Sequence, residues 1–360
     1  MSPNATGKGA VAAEEPLTVA RKADHIRINL EEDVSAKGVD PGFDEYRFVH
    51  CALPELDLDG VALRTTFLGR ELRAPLVISC MTGGTEQAER INMRLAAAAQ
   101  ERGLAMGLGS CRVLLEHPDV LPTFAVRRVA PGILLFANLG AVQLNRGVTV
   151  DDCRRLLEML RADVLVLHCN PLQEALQPEG DTCFGDLLPR IAQLCAELDT
   201  PVVLKEVGWG ISADLVVALQ EAGVAAVDVA GAGGTSWSEV ERHRISDARR
   251  AKVAAAFAGW GIPTALAVQQ ARAAAPEMPL IASGGMRTGI DIAKAIALGA
   301  DLAGIAGPLL RSAAVGDRAL ADALDVLLEE LRICMFCIGA DSVSSLRTTR
   351  RLQHRHVEAV

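Results

Sequence analysis

PLIASGGMRTGIDIAKAIALGADLAGIAG, residues 279–307, holds one full period of the repeat that decides the fold. A short apolar run, Pro279–Ser283, ends in Gly284-Gly285. A stretch with helical spacing follows over Gly289–Leu298, and Gly299 stops it. A second apolar run, Leu302–Ala306, again ends in glycine. The same rhythm extends back to about residue 75, through the apolar runs Ala74–Met81, Leu104–Gly109, Ile133–Leu139, Asp163–His168, Pro201–Val207 and Ala225–Val229. Helical spacing recurs between them over Glu86–Arg102, Thr149–Arg161, Asp186–Leu198 and Ser212–Ala222. Thr149 and Ser212 stand where N-caps belong, and Gly223 where a helix should stop.

Nearly continuous apolar strands alternating with helices need a parallel sheet covered on both faces. Eight such units predict an α/β fold, a (β/α)8 TIM barrel with an N-terminal extension. The rival is an open doubly wound sheet. No GxGxxG opens a first helix, which weakens the dinucleotide-binding version of that rival. The expected division is a disordered tail over 1–16, a segment over 17–73 covering the barrel, the barrel over 74–345 and a C-terminal tail over 346–360.

Composition narrows the function. The formal net charge is -9, without a long block of one sign, and aromatics make up 3% of the chain. Nucleic acid and anionic membrane are therefore poor partners, although a local basic pocket stays possible. The nine cysteines are scattered, and the one CxxC, Cys334-Met335-Phe336-Cys337, has no second ligand pair. Residues 1–16 lack an apolar h-region, and no apolar run reaches 18 residues. These features predict reduced thiols and a cytoplasmic protein.

A barrel builds its active site from loops at the C-terminal ends of its strands. The polar residues out of place in apolar runs gather there: Thr82, Ser110, Arg112, Asn138, His168, Asn170, Gln173, Glu174, Lys205 and Thr235. Gly284-Gly285 and Gly304–Gly307 follow the last two strands, where barrels usually hold a phosphate. Glycines let backbone N–H groups approach an anion, and the helix opening at Gly289 is expected to aim its N-terminus at the same spot. Alternation puts Val164, Val166, His168 and Asn170 on one strand face. A histidine so placed is either satisfied in the core or directed into the mouth, and its pairing with Asn170 favours the mouth. Glu174 suits a hard cation that also takes substrate phosphates. Lys205 must reach the rim or pair, with Glu206 the nearest candidate. By residue type alone, Arg21-Lys22-Ala23-Asp24-His25 is a solvated charge cluster.

Taken in order, these segments resemble the type 2 isopentenyl-diphosphate isomerases, which are FMN-dependent barrels. The matching segments are Arg21–His25, Met81-Thr82-Gly83-Gly84, Gly109-Ser110-Cys111-Arg112, Asn138–Ala141 and His168-Cys169-Asn170-Pro171-Leu172-Gln173-Glu174. Lys205–Gly208, Gly233–Trp237 with Val240-Glu241, Trp260–Thr264 and 283–289 complete the series, from about 20 to 340. Two positions depart from the family: Cys111 replaces the usual glutamine, and Cys169 the usual leucine. Cys169, by alternation, faces away from the mouth, whereas Cys111 lies nearer the implied diphosphate.

The resemblance implies interconversion of isopentenyl and dimethylallyl diphosphates, a double-bond shift without net redox change. It implies reduced FMN as the acid–base cofactor, Mg2+ on the diphosphate and NADPH as reductant. It places Met81, Thr82, Gly83, Ser110, Asn138, Lys205, Thr235, Gly284, Gly285, Arg287, Ala306 and Gly307 against the flavin. Arg21, Lys22, Ser110, Arg112, His168, Asn170 and Gln173 would face the substrate, and Glu174 would hold the metal. Gln173, Lys205 and Glu241 would be catalytic, and the assembly a homotetramer or higher homo-oligomer. Two other readings share the fold. A 2-hydroxy-acid oxidase needs a His base late in the barrel, and no histidine lies between His243 and His354. A flavin-binding protein without catalysis should lose Glu174 or Arg112, and both are present.

Overall fold

A computed structural model describes residues 17–355, so the expected tail over 1–16 lies outside the described residues. All eight expected strands form: β1 (Leu76–Ile78), β2 (Ala105–Gly107), β3 (Leu135–Gly140), β4 (Val164–His168), β5 (Val202–Lys205), β6 (Ala226–Asp228), β7 (Leu280–Ser283) and β8 (Leu302–Ile305). They close into a parallel barrel, with β8 pairing β1 through Ala303↔Leu76 and Ile305↔Ile78. The open-sheet rival is thereby excluded.

Strand alternation sorts the core into two layers. Val77, Ala105, Phe136, Val166, Val203 and Ile281 fill the barrel interior. Leu76, Met106, Leu135, Leu165, Leu167 and Leu204 point outward and pack under the helices. Each strand is buried on both faces, which is why its sequence is apolar at consecutive positions.

The helices follow the sequence signals closely. Glu86–Arg102 forms as expected, with Thr85 capping it and Gly103 ending it at φ 63°. Thr149 caps Val150–Leu160 in a reciprocal capping box with Asp152. Ser212 occupies the N-cap of Ala213–Glu221, but its side chain makes no capping hydrogen bond.

The segment before the barrel touches both of its ends. The helix Leu17–Glu31 lies at the mouth, where Arg21, Lys22 and His25 face the pocket. The antiparallel hairpin Thr65–Phe67 with Arg70–Leu72 closes the floor, its Phe67 and Leu72 packing into the interior layer. Of the expected C-terminal tail over 346–360, the described residues 346–355 return to the body, and 356–360 lie outside the described residues. Leu352–His354 pairs antiparallel with Tyr46–Phe48. No helix among the described residues is long and apolar enough to cross a membrane.

Candidate active site

At the C-terminal mouth the strand ends enclose a pocket of about 310 Å³. All the residues expected against a flavin or a substrate line it, and so does Glu174. Of the expected catalytic residues, Gln173 and Lys205 line it and Glu241 does not. The helix Trp237–Arg244 turns Glu241 inward, where it is fully buried behind the wall.

From there Glu241 acts on the wall residues. Its Oε1 accepts from Gln173 Nε2 and from His25 Nε2, each at 3.0 Å. Its Oε2 accepts from Arg244 Nη1 at 2.6 Å. Burial pushes the carboxyl up, but His25, Gln173 and the Arg244 charge outweigh it and bring it down to about 2. Burial holds His25 below its ordinary value against the opposing pull of Glu241. Its ring also stands edge-on to Trp237, centroids 5.0 Å apart. Gln173 is pinned at both ends, since its Oε1 accepts from Asn170 Nδ2 at 3.1 Å. Arg244 continues the network outward to Glu179 at 2.8 Å. Arg244 and Glu179 were missed in the sequence; the signal available was the i,i+3 spacing of Glu241 and Arg244.

The cationic end of the pocket overturns the solvated reading of Arg21–His25. One helix face carries Arg21, Lys22 and His25 to the lining. Lys22 Nζ donates to the Ser110 carbonyl at 2.9 Å and stands 5.2 Å from the Phe124 ring centre. Burial lowers Lys22 to about 8, helped by Arg21 and opposed by Cys111. Lys22 is therefore charged at neutral pH and loses its charge as pH rises through about 8. We expect the KM for an anionic substrate to rise about tenfold between pH 7 and 9. In Lys22→Met the KM should be high throughout. A flat KM in the unmodified protein over that range would remove Lys22 from the substrate site.

Arg112 lines the pocket beside Lys22 and pairs with Glu116 at 3.2 Å. Its neighbour Cys111 points the other way. It is fully buried in the outer core, and its Sγ donates to the Gly109 carbonyl at 3.1 Å. Cys111 thus does not line the pocket. Cys169 likewise packs against the outer core, as alternation requires.

His168 and Asn170 do point into the mouth. His168 Nδ1 lies 2.6 Å from Asn138 Oδ1, which accepts, so Nδ1 carries the proton. Burial, then Lys205 and Arg21, lower His168 to about 4 and keep it neutral. Glu174 accepts from Asn170 Nδ2 at 2.8 Å, Gln177 Nε2 at 2.5 Å and the Asp181 N–H at 2.6 Å.

An expectation about anion binding is corrected, and of the two alternatives for Lys205 it reaches the rim and does not pair with Glu206. At the start of the helix Gly289–Ala297 the N–H groups of Arg287, Thr288 and Gly289 are already taken. Asp291 accepts from the Arg287 and Thr288 N–H groups, and Glu330 accepts from Gly289. Those donors cannot also serve a phosphate, whereas the next helix, Gly307–Val315, presents Ala306, Gly307 and Pro308 to the pocket. Lys205 does not pair with the Glu206 carboxylate, which accepts the N–H groups of Val207, Gly208 and Trp209. Its Nζ donates to the Glu206 backbone carbonyl at 2.6 Å and lies 3.9 Å from Asp228 Oδ2.

The glycines do two different jobs. At Gly284, φ is 111° and a Cβ would lie 2.1 Å from the Gly231 carbonyl, so close backbone packing demands glycine. At Gly307 the nearest atom to a Cβ would be Thr235 Oγ1 at 3.7 Å. That backbone is open toward the pocket.

With this geometry in hand, the relatives can be placed. An isopentenyl-diphosphate delta-isomerase of Nostoc sp. is 53% identical over 341 residues, covering 95% of this chain and 97% of that protein. Another, of Synechococcus sp., is 55% identical over 337 residues, 94% of this chain and 97% of that one. The chain belongs to the isopentenyl-diphosphate delta-isomerase family. The FMN-dependent dehydrogenase family model also matches, over residues 182–353. Together the two matches make this chain an FMN-dependent isomerase. Among solved structures, mandelate oxidase with a difluorinated hydroxy acid matches with TM-score 0.61 at 20% identity, over 93% of this chain and 96% of that one. A chimera of (S)-mandelate dehydrogenase matches with TM-score 0.63 at 18% identity, over 93% and 99%. At such identities the likeness is one of fold.

Proposed function

We propose that this chain interconverts isopentenyl diphosphate and dimethylallyl diphosphate, with reduced FMN, Mg2+ on the diphosphate and NADPH to prime the flavin. The observation that carries the reading is one pocket with a cationic end and a fixed amide. Arg21, Lys22 and Arg112 supply the cations, and Gln173 is the amide, backed by the buried Glu241. A diphosphate suits the first, and a proton moved at carbon suits the second.

The residues present fit both absent groups. The backbone at Gly307 has room for a phosphate, and the Ala306–Pro308 helix start faces the same space. Lys205 and Asn138 line the wall beyond it, where the isoalloxazine would lie. Reduced flavin would supply a proton at N5 and take it back. For the metal, Glu174 accepts from Asn170 Nδ2, and the other amide atom, Oδ1, is buried with no partner among the described residues. One or two carboxylates with substrate phosphates and retained waters are the usual provision for Mg2+, and Glu174 would be the carboxylate here. Among the described residues no group of three or more His, Cys, Asp and Glu could hold a metal alone.

In this reading Lys22 and Arg112 bind the diphosphate, and Glu174 orients the metal. Gln173, held by Asn170 and Glu241, faces the carbon that loses a proton. The apolar barrel wall excludes water from the cation-like state. Homotetrameric or larger assembly and a cytoplasmic setting belong to the same proposal.

The direct test is anaerobic incubation of the FMN-loaded, reduced protein with isopentenyl diphosphate and Mg2+. Dimethylallyl diphosphate should accumulate to equilibrium, and its absence would sink the proposal. Glu174→Gln should retain FMN and lose about a hundredfold in turnover at limiting Mg2+. Turnover like that of the unmodified protein would show that Glu174 does not hold the metal.

A further inference from the structure

Behind the wall assigned to the flavin lies a buried lysine–aspartate pair, in which burial pushes the Asp228 carboxyl up while Lys205 and the Ser283 hydroxyl pull it down. Lys205 ends β5 and Asp228 ends β6, and the parallel register sets them side by side. Below them Val166, Val203 and Ile281 fill the barrel. Lys205 Nζ lies 3.9 Å from Asp228 Oδ2, with the side chains 10% and 6% exposed.

Asp228 is fixed from its other side as well. Ser283 Oγ donates to its Oδ1 at 2.6 Å, and the Ala230 N–H donates to the same oxygen at 3.2 Å. Ala230 itself holds φ at 38°, in the left-handed region. Such strain persists where the surroundings impose it, and it gathers at functional sites.

Lys205 lines the pocket and Asp228 does not, so Asp228 reaches the pocket through Lys205. A buried ion pair brings little stability over well-packed apolar residues of like volume. Its place here therefore asks for another reason. We propose that Asp228 is a positioning residue that holds the Lys205 ammonium at the flavin wall and offsets its charge, and so sets how readily the bound flavin is reduced. This rests on the FMN reading above.

An unopposed cation at the wall favours electron uptake, and a cation balanced by a carboxylate favours it less. The protein loaded with FMN is equilibrated anaerobically with a reference dye, and the ratio of reduced to oxidised flavin is read by absorbance. Asp228→Asn should raise that ratio about tenfold at fixed potential, about 30 mV for a two-electron couple. Lys205→Met should lower it by a similar factor. A ratio within twofold of the unmodified protein in Asp228→Asn would overturn the proposal, because a purely structural role would not move it. Should Asp228→Asn fail to fold, melting of the apoprotein decides. Lys205→Met leaves a buried carboxylate unpaired and should melt lower, and adding Asp228→Asn should recover the loss. No recovery would also overturn the pairing. Failure of the unmodified protein to take up FMN would sink the cofactor reading alone, since the melting comparison needs no flavin.

Discussion

Anaerobically, one equivalent of NADPH should support on the order of 100 turnovers or more, because substrate and product of a double-bond shift share one oxidation state. The reductant would be needed only to bring the flavin to its active form. The prediction separates this chain from the oxidases and dehydrogenases whose barrel it shares, for which reductant or oxidant is consumed with every turnover. The geometry supports the same separation. Of the histidines, those lining the pocket among the described residues are His25 and His168. Neither follows the last two strands, where a hydroxy-acid oxidase would need its base. His25 is bound to Glu241, and His168 is held neutral and donates to Asn138. The measurement is dimethylallyl diphosphate formed per NADPH consumed under argon. A ratio near one would mean stoichiometric redox chemistry and would replace the isomerase assignment with an oxidoreductase.

Glu241→Gln should cut kcat by about a hundredfold or more, the scale of a lost general acid–base group, while FMN affinity stays unchanged. Glu241 does not touch the pocket, so flavin contacts survive its loss. What disappears is the negative charge behind Gln173 and His25. The amide oxygen of the variant can accept from two donors at most, and its NH2 only donates, so it cannot satisfy Gln173, His25 and Arg244 together as the carboxylate does. Arg244 keeps Glu179, which softens the structural damage. A kcat within twofold would show that Gln173 works without its buried partner. The pH dependence of stability gives a second reading. The folded carboxyl lies near 2, below its ordinary 4.5, so its stabilisation is complete above about pH 4.5 and fades as pH falls toward 2. Glu241→Gln should lose that part of the acid transition.

Much of this was legible in the sequence, for a physical reason. A strand buried on both faces must be apolar at consecutive positions, so His168, Lys205 and Asn138 stood out against their runs. Asp228 gave the same signal within Ala225–Val229 and was passed over. Other features depend on how distant segments meet. Charge alone made Arg21–His25 look solvated, since nothing local says which helix face meets the barrel mouth. The Gly289 helix start looked like an anion site because Glu330, which satisfies it, comes 41 residues later. Glu241 was picked out by resemblance, but its inward orientation comes from the packing of its helix.

The pairing of Tyr46–Phe48 with Leu352–His354 also bears on how the protein is made. His354 and Glu45 are bonded across 309 residues of chain. At a ribosomal rate of 5–20 residues per second, residue 46 waits roughly 15–60 s for its partner strand to emerge. The same holds for β1, whose neighbour β8 arrives late. Throughout that interval the early strands carry unpaired edges and the mouth helix has no rim to cover. Nascent chains stalled before residue 352 should therefore be far more sensitive to protease than the released protein, and more dependent on chaperones.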